Sequence, residues 1–145
     1  MNTVQEILAQ KGAEVASIDV EATVLQAAQL MNERHIGALV VTRHGRLAGI
    51  LTERDVMNRV VAQERLPGRT PVKDVMTTPV ACCRRSTKKA ECQAVMKKKR
   101  IRHLPVVEDE RLVGIVSIVD IMEGESAEKD ETIRYLYGYV QGEYR

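Results

Sequence analysis

Residues 49–55 read GILTERD, and residues 114–120 read GIVSIVD. Each stretch is a glycine, two branched aliphatic residues and a small hydroxyl, with an aspartate three places further on. Taken singly, a hydroxyl–x–x–acid element is a helix N-cap, in which two side chains satisfy backbone donors at the helix start. The pair means more because of its register. Shifting the chain by 65 residues lays Val15-Ala16 on Val80-Ala81 and Met31 on Met96. Ile36/Ile101, Leu39/Leu104, Val41/Val106, Arg46-Leu47/Arg111-Leu112, Gly49-Ile50/Gly114-Ile115, Asp55/Asp120 and Met57/Met122 follow. One offset serves from residue 15 to residue 57 without an insertion. Two copies are too few for a solenoid, whose repeats stack in series, and suit a pair related by a pseudo-twofold axis.

Both copies predict the same elements. A short strand is expected near 15–18 and near 80–83. Thr23-Val24-Leu25-Gln26 has the capping-box pattern of a helix start. Val24, Ala27, Ala28, Leu30 and Met31 then form one apolar face at helical spacing, matched by Ala90, Cys92, Val95 and Met96. Two strands follow, over 38–42 and 47–51, joined by Arg43-His44-Gly45, whose glycine supplies a positive φ. The second hairpin, 103–107 and 112–117, turns through Glu108-Asp109-Glu110 and lacks that glycine. A last helix opens at each hydroxyl–x–x–Asp element. The fold class is α/β (α+β), two β-α-β-β-α repeats packed by pseudo-twofold symmetry. The crossover makes the first two strands of each copy parallel, and the hairpin adds an antiparallel third. Helices on one side leave the other sheet face apolar, for the second copy to cover.

Along the chain this divides into residues 1–62, an N-terminal helix plus the first repeat, and 63–73, a Pro/Gly-containing linker. Residues 74–125 make the second repeat. Residues 126–145 are expected to form a helical tail, with Ile133, Leu136, Tyr137 and Val140 at helical spacing, either capping the module or contacting a partner.

Composition narrows the function classes. Charged residues make up 29% of the chain, and with four Tyr, no Phe and no Trp the core must be aliphatic. Few aromatic rings also argue against a base-stacking nucleic-acid platform. No apolar run could span a bilayer, and the N-terminus lacks a secretory pattern, so a cytoplasmic location with no membrane contact is expected. Cys82, Cys83 and Cys92 are odd in number and lack zinc-ligand spacing, so no metal site is expected; they read as small buried hydrophobes, with a reactive thiol left open. Net charge is only +2, yet between Arg84 and Arg102 nine basic residues face one acid, Glu91. The run at 97–100 compensates a helix dipole or attracts an anion, a nucleotide phosphate being favoured over nucleic acid.

Paired helix starts at the edges of a shared interface offer backbone N–H groups suited to phosphate. A carboxylate nearby can accept the vicinal hydroxyls of a ribose. Ile36, Val80 and Ile101 supply apolar walls against a purine, in a concave cleft with few polar groups. No nucleophile–base motif, P-loop or metal cluster points to catalysis, and His35, His44 and His103 lie on unrelated elements.

GILTERD and GIVSIVD, together with Ile101–Val107 (IRHLPVV) and Asp74–Val80 (DVMTTPV), resemble the tandem CBS (cystathionine β-synthase) domain pair over about residues 15–125. The resemblance implies a regulatory Bateman-type module without a catalytic cofactor. It would bind an adenosine-containing ligand (AMP, ATP, NAD or S-adenosylmethionine) in one or two clefts and associate as a homodimer. It further implies that Asp55 and Asp120 hold ribose hydroxyls, with Thr52 and Ser117 near the ribose or phosphate. Ile36-Gly37-Ala38 and Ile101-Arg102-His103 would line the base and phosphate positions, Asp55 meeting the 80–105 region and Asp120 the 15–40 region. The copies depart from one another. Pro105 has Val40 as its counterpart, Thr23 matches Lys88, and Glu53-Arg54 becomes Ile118-Val119, leaving Arg54 as either a phosphate contact or a surface arginine. Unequal clefts follow. The implied function is a sensor relaying occupancy to an unidentified effector protein. The alternatives are a nucleic-acid binder acting through 84–102 and a dimeric scaffold whose clefts stay empty.

Overall fold

A computed structural model of the chain describes residues 2–123; the helical tail expected over 126–145 lies outside the described residues. The elements are α1 (Val4–Lys11), β1 (Ser17–Asp19), α2 (Val24–Arg34), β2 (Ala38–Arg43), β3 (Arg46–Thr52) and α3 (Glu53–Val56), which continues as a π-helical turn over Met57–Val61. Then come α4 (Lys89–Lys99), β4 (His103–Glu108), β5 (Arg111–Ser117) and α5 (Ile118–Met122), after two short 3-10 turns, Pro67–Arg69 and Val72–Asp74.

The duplication governs the backbone in detail. β2 pairs with β3 from Ala38↔Thr52, and β4 with β5 from His103↔Ser117, with a register shift after Val41 in one hairpin and after Val106 in the other. α2 ends at His35 (φ 55) and α4 at Arg100 (φ 56), both left-handed caps. The hairpin turns place positive φ at His44 and Gly45, and again at Asp109 (φ 50) and Glu110 (φ 65). Both therefore have the type I′ signature, which matches strand twist, and Glu110 adopts it without being glycine. α2 starts as the capping box expected: the Gln26 N–H donates to Thr23 Oγ1 at 3.1 Å, and Gln26 Oε1 accepts the Thr23 N–H at 2.9 Å.

One element differs between the copies. β1 runs parallel to β2, but the strand expected near 80–83 is a single parallel bridge, Cys83↔Val106, in the place of Ile18↔Val41. In the first copy the Val20 N–H continues the ladder to the Thr42 carbonyl at 3.0 Å. At the corresponding position the Arg85 N–H goes instead to the Glu108 side chain at 2.9 Å, so the ladder stops.

The packing exchanges partners. α1 precedes the first copy in sequence, yet its Val4, Ile7 and Leu8 are buried with Cys83, Cys92, Met96, Leu104, Val106 and Val116 of the second copy. Residues 70–76 lead into the second copy, yet Val72 and Val75 are buried in the first, with Val24, Met31, Leu39 and Leu51. The expected 63–73 linker is therefore packed at its C-terminal end, where Thr70 is 3% exposed. These two leaders are themselves equivalent. Val4 donates to the Thr87 carbonyl and Lys89 to that of Asn2; Val72 donates to Ala22 and Val24 to Thr70, the same pattern. Each copy completes its core with the other's leader.

Candidate functional site: a cleft lined by both copies

α3 opens where β3 ends, at Thr52. The Thr52 N–H donates to Asp55 Oδ2 at 3.0 Å, and the Asp55 N–H donates back to Thr52 Oγ1 at 3.2 Å. This box fixes the Asp55 carboxylate above the end of the sheet. The Thr77 hydroxyl, from the second leader, reaches the same carboxylate at 3.0 Å from Oδ1 and 3.2 Å from Oδ2. Thr77 is held there because its N–H and carbonyl both pair with Ile50, at 2.8 and 3.1 Å. Asp55 is 7% exposed and lies on a cavity of about 530 Å³. Oδ1 meets only the Thr77 hydroxyl among the described residues, so it keeps acceptor capacity for a further hydroxyl.

The cavity walls come from distant parts of the chain. Gly37, Ile50, Thr52 and Glu53 to Asp55 line one side, Thr77 and Pro79 to Ala81 a second, and Lys99 to His103 a third. Ile50, Val80 and Ile101 are its apolar surfaces. Five cationic side chains, Arg54, Arg59, Lys99, Arg100 and Arg102, stand against two carboxylates, Glu53 and Asp55. Arg59 is committed: its Nη1 donates to the Met76 carbonyl at 2.9 Å and the Val75 carbonyl at 3.2 Å, pinning the second leader. Burial, reinforced by the adjacent Arg102, holds the His103 imidazole below its usual range, so it faces the cavity neutral near pH 7.

Of the residues expected at the site, Gly37, Thr52, Arg54, Asp55, Val80, Ile101, Arg102 and His103 meet on this cavity. Ile36 instead faces a neighbouring groove with Met31, Val56 and Met57. Ala38 is buried in β2, and Pro105 is buried in β4, where its carbonyl accepts the Cys83 N–H at 2.9 Å. Along each strand side chains alternate faces, and it is Leu39, Val41, Leu104 and Val106 that enter the two cores; Ala38 and Pro105 are buried on the other parity and do not line the cavity. Thr77, Asn58 and Arg59 line it without having been singled out, and Lys99 and Arg100 reach it from the basic run at 97–100 expected to compensate a helix dipole or attract an anion. Thr77 sits inside DVMTTPV, but nothing local tells that its hydroxyl meets the Asp55 carboxylate.

The second aspartate repeats the cap and not the surroundings. Asp120 Oδ2 accepts the Ser117 N–H at 2.8 Å, and the Asp120 N–H donates to Ser117 Oγ at 3.2 Å. Lys11, the last residue of α1, then places its ammonium 2.7 Å from Asp120 Oδ2 and 3.0 Å from the Ile115 carbonyl.

Cys83 and Cys92 are buried in the second core, as small hydrophobes should be, and Cys82 is exposed. A hydrogen bond with Cys92, together with burial, pushes the Cys83 thiol up, away from a thiolate. Among the described residues no group of His, Cys, Asp and Glu could hold a metal ion, and no helix is long and apolar enough to cross a membrane.

Comparison with known proteins gives a consistent result. The CBS domain pattern matches the chain twice, over residues 4–62 and 72–126. The mitochondrial CBS domain-containing protein CBSX3 of Arabidopsis thaliana is 33% identical over 151 residues, covering 98% of this chain and 73% of that protein. The CBS domain-containing protein YhcV of Bacillus subtilis is 37% identical over 118 residues, covering 79% of this chain and 84% of its own. The crystal structure of the CBS-domain containing protein ATU1752 from Agrobacterium tumefaciens matches with a TM-score of 0.79 at 33% identity, covering 84% of this chain and 92% of that one.

Proposed function

The chain belongs to the CBS-domain family, carrying two copies in tandem, and from that premise we propose that it is a regulatory module binding a phosphate-bearing adenosine ligand in the Asp55 cleft. One observation carries the reading: a fixed carboxylate, apolar walls and a surplus of cations share a single cavity. Asp55 would accept the ribose hydroxyls, the purine would pack among Ile50, Val80 and Ile101, and the phosphates would lie toward Arg54, Lys99, Arg100 and Arg102.

The duplication supplies an internal control for the cations. Cations at the end of α4 would compensate its dipole wherever the ligand binds. α2 ends with the same left-handed cap, yet Lys99, Arg100 and Arg102 have Arg34, His35 and Gly37 as counterparts, and Arg54 has Val119. A dipole effect would load both helix ends alike. The excess at α4 alone favours a cleft built for negative charge, so ADP and ATP suit it better than AMP or NAD, and far better than the cationic sulfonium of S-adenosylmethionine.

A ligand touching both copies favours one relative arrangement of them only through a difference in affinity between two states. The module would pass that preference to a partner protein or through a homodimer, without catalysis, and the cytoplasm remains the expected compartment. Titration calorimetry with ATP, ADP, AMP, NAD and S-adenosylmethionine tests the reading. Affinity should rise with phosphate number, and Asp55→Asn should weaken ATP binding at least tenfold. Tightest binding of S-adenosylmethionine, or unchanged ATP affinity in Asp55→Asn, would sink it. Nucleic-acid binding that falls steeply with salt, in the absence of any nucleotide binding, would favour the reading built on residues 84–102.

A further inference from the structure

We infer that Lys11 is a tethered internal occupant of the second aspartate position, so that the chain takes one adenosine ligand rather than two. The inference rests on the proposed ribose role of the paired aspartates. The two positions are built alike up to the cap, through Thr52/Asp55 and Ser117/Asp120. They diverge in what the opposite leader brings. The second leader brings the Thr77 hydroxyl to Asp55, a neutral donor that leaves the carboxylate's charge and part of its acceptor capacity to the cavity. The first leader brings an ammonium to Asp120, which neutralises the carboxylate and also takes the Ile115 carbonyl.

Lys11 is not a loose surface cation. Its helix is anchored by Val4, Ile7 and Leu8 in the second core, and Leu8 crosses Gly114, three residues before Ser117. Gly12 (φ 90) turns the chain away immediately after Lys11, so the ammonium stands at the end of a fixed arm. The pair is sheltered, with side-chain exposures of 30% for Lys11 and 12% for Asp120. A tethered partner competes as an intramolecular ligand, at an effective concentration far above that of a metabolite. Ribose hydroxyls bring only dipoles to the carboxylate, and would have to displace an ammonium that brings a full opposite charge. The second leader has no such cation, because Pro79 stands where Lys11 does, 68 residues on.

Calorimetric stoichiometry tests this on the whole chain with ATP and adenosine as probes. The natural protein should bind one ATP per chain, and Lys11→Ala two, while Lys11→Ala/Asp120→Asn returns to one. The added site should take adenosine about as well as ATP, since the 65-residue counterparts of Arg54, Arg100 and Arg102 are Val119, His35 and Gly37. Retention of the first site in Lys11→Ala shows that the variant is folded. Two ATP per natural chain, or one per Lys11→Ala chain with the first site intact, would overturn the inference and leave the nucleotide reading standing. No ATP bound by the natural protein would overturn both.

Discussion

Leu8 and Met76 stand 68 residues apart and perform the same task on opposite copies. A Cβ on Gly114 would lie 2.8 Å from Leu8 Cδ2, and a Cβ on Gly49 would lie 2.6 Å from Met76 Sδ. Each leader thus lays an apolar side chain across the bare backbone of a strand in the copy it completes. The glycines of GILTERD and GIVSIVD are there for that crossing, and both have an ordinary negative φ region available to any residue.

The two crossings should differ in tolerance. At Gly49 a new methyl also meets the Thr77 carbonyl at 2.9 Å, a backbone atom fixed by its bonds to Ile50. At Gly114 the nearest atoms belong to the end of the Leu8 side chain, which can turn aside. Gly49→Ala should cost about 2–3 kcal/mol, toward the upper end of overpacking effects, and Gly114→Ala about 1 kcal/mol. Urea unfolding curves check the order, and equal losses would mean that the carbonyl yields.

Glu110 offers a gain. Its φ of 65 is unfavourable for a side chain with a Cβ, and Gly45 occupies the same place in the first hairpin. Glu110→Gly should stabilise the protein by about 0.5–1 kcal/mol, the left-handed penalty being partly offset by the greater entropy that glycine loses on folding. Gly45→Ala should destabilise it by about 1 kcal/mol. A lower melting temperature for Glu110→Gly would contradict the turn assignment.

His103 should make stability depend on pH. Burial and then Arg102 depress its pKa below 6.5, with Lys11 acting in the same sense and Asp120 and Glu53 opposing. A folded value below the unfolded one means that the unfolded chain binds the proton more readily. The contribution is therefore complete above the unfolded value and is lost as pH falls through the window beneath it. Melting temperatures of the natural protein should drop relative to His103→Gln as pH is lowered from about 7.5 to about 5. Parallel profiles would show that His103 carries no such linkage.

A dimer would use the outer faces of α3 and α5. Met57 is 58% exposed and Val61 64% on the π-helical turn that continues α3, and Val119 69% and Met122 47% on α5, with Met57 and Met122 in equivalent places. Apolar side chains repeated symmetrically on two short helices suit contact with a second copy. Met57→Glu should shift the sedimentation coefficient from dimer to monomer without lowering the nucleotide affinity proposed for the Asp55 cleft. A natural protein that sediments as a monomer, or a variant that stays dimeric, rules these faces out.

The sequence alone determined whatever depends on neighbours along the chain. Capping at Thr23, Thr52 and Ser117 is an interaction over three residues, hairpin register follows alternation, and α2 and α4 follow the 3.6-residue period, so all were legible from spacing. The strand near 80–83 was lost at one end to Pro105, which has no N–H where Val40 donates to the Ala16 carbonyl, and at the other to the Glu108 side chain, which takes the N–H of Arg85. Only the tertiary structure decided that α1 would complete the second core, that Thr77 would meet Asp55, and that Lys11 would meet Asp120 across 109 residues. Such contacts leave no local periodicity, because they come from burying two half-covered sheets at once, and the charge at each aspartate follows from whichever leader that burial delivers.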